Sequence, residues 1–136
     1  MEALTTLNPQ SANRKSRTIV LIVDHDDVQL DSICRGANLY GHSCIKLSTV
    51  SEAIDFLNRP SRPRIDILIT DITSEGSAGF ELIQHARALH PGLPIIAVCG
   101  LASTDEIEAV RDAGVLILRR PFHPQGLDGA IRDSVA

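Results

Sequence analysis

IDILITD, residues 65–71, is the stretch on which the fold turns. Ile65–Thr70 reads as a short apolar strand that runs straight into a single carboxylate, Asp71. On its N-terminal side, TIVLIV (Thr18–Val23) shows no polar alternation, the pattern of a strand buried on both faces of a sheet. Ser43–Leu47 reads as a second, shorter strand, Pro94–Val98 as the fourth and Val115–Leu118 as the fifth. Helical patterns fall between them. The first runs from about Asp27 to Tyr40, with Leu30, Ile33 and Ala37 on one stripe and Gly41 as its stop. The second is capped by Ser51, runs through about Leu57 and is ended by Pro60 and Pro63. The third is Phe80–Leu89, with Leu82, Ile83, Ala86 and Leu89 inward, after a loop marked by Gly76 and Gly79. Ser103 or Thr104 caps a fourth helix through Ala113, and about Gln125–Val135 forms the last.

Five short strands alternating with five amphipathic helices predict an α/β fold, a doubly wound five-stranded parallel sheet with helices on both faces. Residues 1–17 are polar and carry Arg14, Lys15 and Arg17, and they read as a flexible N-terminal arm ahead of one domain over residues 18–136. The chain has 136 residues, room for one cored domain and not for two.

Composition narrows the function. A net charge of −4 argues against a non-specific nucleic-acid binder, which needs a basic field. Aromatic residues make up 3% of the chain, too few for base-stacking platforms. There is neither an apolar run of the ~18 residues that span a bilayer nor a secretory signal, so a cytoplasmic location is the default expectation. Cys34, Cys44 and Cys99 form no CxxC pair and read as buried reduced thiols.

In such sheets function collects at the carboxyl ends of the strands. Strand one ends in Asp24-His25-Asp26-Asp27, strand three in Asp71, strand four in Cys99-Gly100 and strand five in Arg119-Arg120-Pro121. Converging carboxylates repel and need a cation to offset the cost. A hard divalent ion such as Mg²⁺ suits their oxygens. A phosphate-cradling loop is excluded, because no Gly-rich turn follows strand one.

Taken in order, the acidic cluster after IVLIV, the IDILITD segment with Gly79 eight residues beyond it, LPIIAV on strand four and RPF at Arg120–Phe122 resemble the receiver domain of response regulators in two-component signalling. The resemblance implies a sheet ordered 2-1-3-4-5, as in flavodoxin-like folds. It implies that Asp71 accepts a phosphoryl group from a histidine kinase or phosphotransfer protein, and that a downstream protein reads the result. It assigns Mg²⁺ to Asp24, Asp71 and the backbone carbonyl of Thr73, with Asp26 or Asp27 as the acid that would substitute for the one missing at position 25. It puts Arg120 at the phosphoryl-contacting Lys, before an X-Pro bond that is usually cis, and Cys99 at the switch position. With Ala136 the last residue of the sequence, the signal is expected to leave through surface contacts, to a partner protein or by dimerisation.

Four departures from the family pattern carry information. His25 stands where a second metal-binding acid is usual; an imidazole suits softer ions than Mg²⁺, and the bland alternative is a solvent-facing loop residue. Cys99 replaces a Ser or Thr and is a weaker donor. Arg120 replaces Lys, which opens either a bidentate grip on phosphate or a structural salt bridge to Asp71 or Asp24. The loop after Asp71 has Ser74, Glu75 and Ser77 in place of apolar residues and Pro, and Ile117 or Leu116 occupies the place of the read-out aromatic. Two readings therefore stand: a working phosphoacceptor, and a pseudo-receiver that acts as a protein-interaction module. A phosphatase of the haloacid dehalogenase type, suggested by Asp24-His25-Asp26, is disfavoured by Val28 and the short chain. Neither remaining reading makes the chain an enzyme.

Overall fold

Side chains on a strand alternate between faces, so a strand apolar at every position needs cover on both sides. A computed structural model describes residues 18–72, 78–100 and 104–136 and meets that requirement. Strands β1 (Ile19–Val23), β2 (Ser43–Leu47), β3 (Ile67–Asp71), β4 (Ile95–Cys99) and β5 (Leu116–Arg119) form one parallel sheet in the order β2-β1-β3-β4-β5. Between and after them run α1 (Asp27–Leu39), α2 (Val50–Asn58), α3 (Ala78–Leu89), α4 (Thr104–Asp112) and α5 (Pro124–Val135). This is the flavodoxin-like order. Residues 1–17, expected to form an arm, residues 73–77 with Thr73, and residues 101–103 with the expected cap Ser103 lie outside those described.

The alternation divides the core in two. Leu21, Val23, Leu68, Ile95 and Ala97 point to one face, under α2, α3 and α4, where they meet Phe56, Leu82, Ile83 and Val110. Val20, Ile22, Ile67, Ile69, Ile96 and Val98 point to the other, where Ile33, Ala37, Leu127 and Ile131 of α1 and α5 cover them. Each such fully buried Ile or Leu contributes about 1.5–3 kcal/mol.

Several element ends differ from the sequence expectation, each for a local reason. Helix α2 is capped by Thr49 and not by Ser51: the Thr49 hydroxyl accepts from Glu52 N at 3.1 Å and donates to the Glu52 carboxylate at 3.1 Å. Helix α3 begins at Ala78, two residues early, and Leu89 at its end, expected to face inward, is 39% exposed. Asp71 is a residue of β3 itself, paired with Val98 of β4. Helix α1 does stop at Gly41, whose φ of 87° suits glycine.

Two polar braces tie the helices down. His42 Nε2 lies 2.7 Å from Asp128 Oδ1 in a buried pair between the start of β2 and α5, and Arg132 Nε reaches both Asp128 oxygens at 3.0 and 2.9 Å. Arg87, near the end of α3, donates to the carbonyls of Pro91, Leu93, Ala113 and Gly114, so one guanidinium closes the turn before β4 onto the turn before β5. Arg87→Met keeps the apolar stem and removes the donors. The expected loss is about 1–2 kcal/mol, part of the gross value because some freed carbonyls rehydrate. Urea unfolding checks it as a lower midpoint at unchanged slope.

Candidate functional site

The site forms where three strands end. Asp24 follows β1, and its backbone N–H donates to Leu47 O at 3.2 Å, extending the ladder to β2. Asp71 closes β3, and Ile72 N–H donates to Val98 O at 3.1 Å, holding that end against β4. Arg120 follows β5 and donates its own N–H to Cys99 O at 2.8 Å, and its peptide bond to Pro121 is cis. Register thus brings two acids and one guanidinium together from distant parts of the chain. Arg120 Nη2 donates to Asp24 Oδ2 at 2.8 Å and Nη1 to Asp71 Oδ1 at 3.1 Å. The guanidinium therefore spans both carboxylates at once, and the two salt bridges weighed as alternatives hold together.

Burial makes that contact matter. The Asp24 and Asp71 side chains are 2% and 5% exposed, against 21% for Arg120. Burial pushes the Asp24 carboxyl above its ordinary range, and the neighbouring Asp71 charge adds to this. Opposing it are the Asp26 backbone N–H, which donates to Asp24 Oδ1 at 2.9 Å, and the charges of Arg120 and His25. The His25 ring is half exposed, with Nδ1 3.7 Å from Asp24 Oδ1. One ligand atom each from Asp24, His25 and Asp71 lie within 4.8 Å of one another, a spacing that a divalent cation can bridge. Two hard oxygens and one nitrogen fit such an ion.

A cavity of about 200 Å³ opens above these groups, lined by Asp24, His25, Thr49, Thr70, Asp71 and Gly79 among others. Gly79 in the first turn of α3 is sterically required. A Cβ there would collide with the Asp71 carbonyl oxygen and come within 2.9 Å of Ile72 Cα. The helix can therefore approach the acid only because residue 79 has no side chain.

Not every expected site residue joins the group. Asp26 caps the helix: its Oδ1 accepts from Val28 N at 2.9 Å and Gln29 N at 3.2 Å at the start of α1, and it is not among the three residues whose ligand atoms cluster. Cys99 is fully buried and packs in the core under α2, α3 and α4. Cys34 and Cys44, expected to be buried, are half-buried. Ile117 packs against the core and Leu116 is 39% exposed, so Ile117 takes the inward position on β5. Thr73 lies outside the described residues. Thr49 and Ser48, which line the cavity from the turn after β2, were not anticipated; the spacing Thr49-x-x-Glu52 was the available signal.

The sign of the Asp24 shift gives a pH dependence. A carboxyl whose folded pKa is raised binds more protons folded than unfolded, so it costs stability as pH rises from its ordinary value of 3.8 to its folded one, and the cost persists above. Asp24→Asn is therefore expected to be more stable than the parent at neutral pH. The advantage should shrink as pH falls and be lost below the ordinary carboxylate range. Denaturant midpoints across pH measure it, and an advantage that grows in acid would contradict it.

Among the described residues, no helix is long and apolar enough to cross a membrane. Residues 20–132 match the model of the response regulator receiver domain. The chain is 26% identical over 117 residues to the sensor histidine kinase RcsC of Salmonella typhimurium, covering 84% of this chain and 12% of the kinase. It is 26% identical over 117 residues to the transcriptional regulatory protein GlrR of Escherichia coli K12, covering 85% of this chain and 26% of that protein. It thus spans only a small part of these relatives. Two solved structures superpose closely. A CheY-like receiver domain protein from Methanospirillum hungatei JF-1 gives a TM-score of 0.78 at 26% identity, over 88% of this chain and 94% of that one. A response regulator receiver protein from Pseudomonas putida gives 0.76 at 27% identity, over 86% and 97%. With the acid pair at the ends of β1 and β3 and the cation at the end of β5, the chain belongs to the response regulator receiver domain family.

Proposed function

We propose that the chain is a phosphoacceptor in a two-component phosphorelay, with Asp71 receiving a phosphoryl group from a phosphohistidine on a histidine kinase or phosphotransfer protein. The observation that supports this best is Asp71 itself: a carboxylate at a strand end, oriented by Arg120 and facing a cavity. In the transfer, an Asp71 oxygen attacks phosphorus as the phosphorus–nitrogen bond breaks, and the imidazole nitrogen leaves with the bonding pair. Arg120, whose Nη1 already points at Asp71, is placed to donate to the phosphoryl oxygens. Asp24 and Asp71, with His25 beside them, would hold a divalent cation, Mg²⁺ in the reading favoured here, which neutralises charge on the acids and on the transferring group when bound. The chain then signals by contact with a downstream protein or a second copy of itself, in the cytoplasm, and performs no turnover chemistry of its own.

One observation favours the pseudo-receiver reading. Arg120 already bridges both acids and offsets one of their two charges, and residue 25 contributes an imidazole where a carboxylate would strengthen the pull on Mg²⁺.

Titration with Mg²⁺ and beryllofluoride, a phosphoryl mimic, separates the two. Saturable binding that needs Mg²⁺ and is lost in Asp71→Asn is expected. No response at millimolar Mg²⁺ would sink the phosphoacceptor reading and leave the interaction module. His25→Asp is expected to tighten Mg²⁺ binding about tenfold or more, since one further charge at contact distance adds about 1–4 kcal/mol at a solvent-facing site. Unchanged Mg²⁺ affinity in that variant would show that residue 25 does not limit the site.

A further inference from the structure

On the face of the sheet covered by α1 and α5, two cysteines lie side by side. Cys34 of α1 and Cys44 of β2 are both half-buried and pack against the same core, which includes Val20, Ile33 and Leu127. The Cys44 thiol donates to Cys34 O at 3.8 Å. Asn38, one turn along α1, donates from Nδ2 to the Cys34 sulfur at 3.5 Å. Lys46, paired with Asp31 at 2.9 Å, is close enough to feel the charge of both sulfurs.

The two thiols are not equivalent. Burial first, and the neighbouring Cys34 second, push the Cys44 thiol up to about 12, so Cys44 keeps its proton and serves as a donor. The Cys34 sulfur accepts from Asn38, and the Cys34 carbonyl beside it accepts from the Cys44 thiol. That division suits a pair in which one sulfur is attacked from outside and the other resolves the product.

We propose that Cys34 and Cys44 form a reversible intramolecular disulfide by exchange with a low-molecular-weight disulfide. The Cys34 thiolate attacks one sulfur of the small disulfide, whose S–S bond breaks, and one small thiolate leaves and takes up a proton. Cys44 then gives up its proton as its sulfur attacks Cys34, and the second small thiol departs. Two protein thiols lose two electrons in total, and one disulfide becomes two thiols. The new bond ties α1 to β2, an edge strand paired on one side only, to β1. This modification site is independent of the chemistry at Asp71.

The test uses the full chain incubated with oxidised glutathione, quenched in acid, unfolded and labelled with N-ethylmaleimide. One label per chain, on Cys99, is expected in place of the three that the reduced chain takes. The intact mass before labelling should fall by two hydrogens, digestion should yield a linked peptide containing Cys34 and Cys44, and reduced glutathione should reverse the change. Cys34→Ser and Cys44→Ser should each abolish the linked peptide, and a glutathione adduct should persist at Cys34 in Cys44→Ser. Amide exchange in Ser43–Leu47 should slow in the oxidised chain. Three labels after oxidation, a stable glutathione adduct as the end product of the parent chain, or dimers in place of the internal bridge would each overturn the proposal. The mass and peptide map of the parent chain decide it even where a variant does not fold.

Discussion

Two buried carboxylates facing each other across a strand pair are the constraint that the rest of this molecule accommodates. Asp24 and Asp71 come from β1 and β3, are almost wholly excluded from water, and carry like charge. Left alone they would protonate or force the strand ends apart. Arg120 offsets part of that tension with a planar fork whose two Nη atoms each take one acid. The backbone is arranged to deliver the fork: Cys99 pairs with Arg119 in register, and the next N–H returns to the Cys99 carbonyl, which brings Arg120 back over the sheet. A lysine, with one ammonium on a flexible stem, could neutralise the same charge but could not match two carboxylates with two fixed donors.

The sheet was legible in the sequence because its signal is redundant. Every residue of β1, and Ile67–Ile69 of β3, are apolar, and the structure shows the physical reason in two cores that take alternate residues. Helix ends carry a thinner signal. Thr49 and Ser51 are both acceptable caps by composition, and only the position of Glu52 three residues after Thr49 selects the first. Arg87 was not legible at all. Its partners are four carbonyls in two turns, and a carbonyl has no side-chain identity by which a sequence could announce it.

The site was readable in the same uneven way. Asp24, Asp71 and Arg120 follow from strand ends, because parallel strands in one sheet must bring their carboxyl ends to one edge. Asp26 is two things at once in sequence: an acid near other acids, and an acid immediately before a helix. Two backbone N–H groups at the start of α1 claim it, at 2.9 and 3.2 Å. The meeting of Cys34 and Cys44 was hidden for a geometric reason. Ten residues that pass through the end of a helix, a reversal at Gly41 and the start of a strand have no fixed span, so spacing alone cannot report that the two residues come together.

Counting charge at the acid cluster explains how the departures fit one another. Two carboxylates and one guanidinium leave one net negative charge among Asp24, Asp71 and Arg120. A third carboxylate at position 25 would raise that to two, beside an acid whose burial already disfavours its ionised form. His25 spares that repulsion, and its half-exposed ring keeps a nitrogen within reach of both acids. In the proposed reading, the same residue that relaxes the resting site would weaken a hold on a hard cation. Arg120 adds a second term in the same direction, because an ion entering between the acids must share oxygens that the guanidinium already uses. Its Nε is buried and finds no acceptor among the described residues. The fork is therefore satisfied at its tips and not at its base, and an arriving group rich in acceptor oxygens would compete for it more readily than for a guanidinium bonded at every nitrogen.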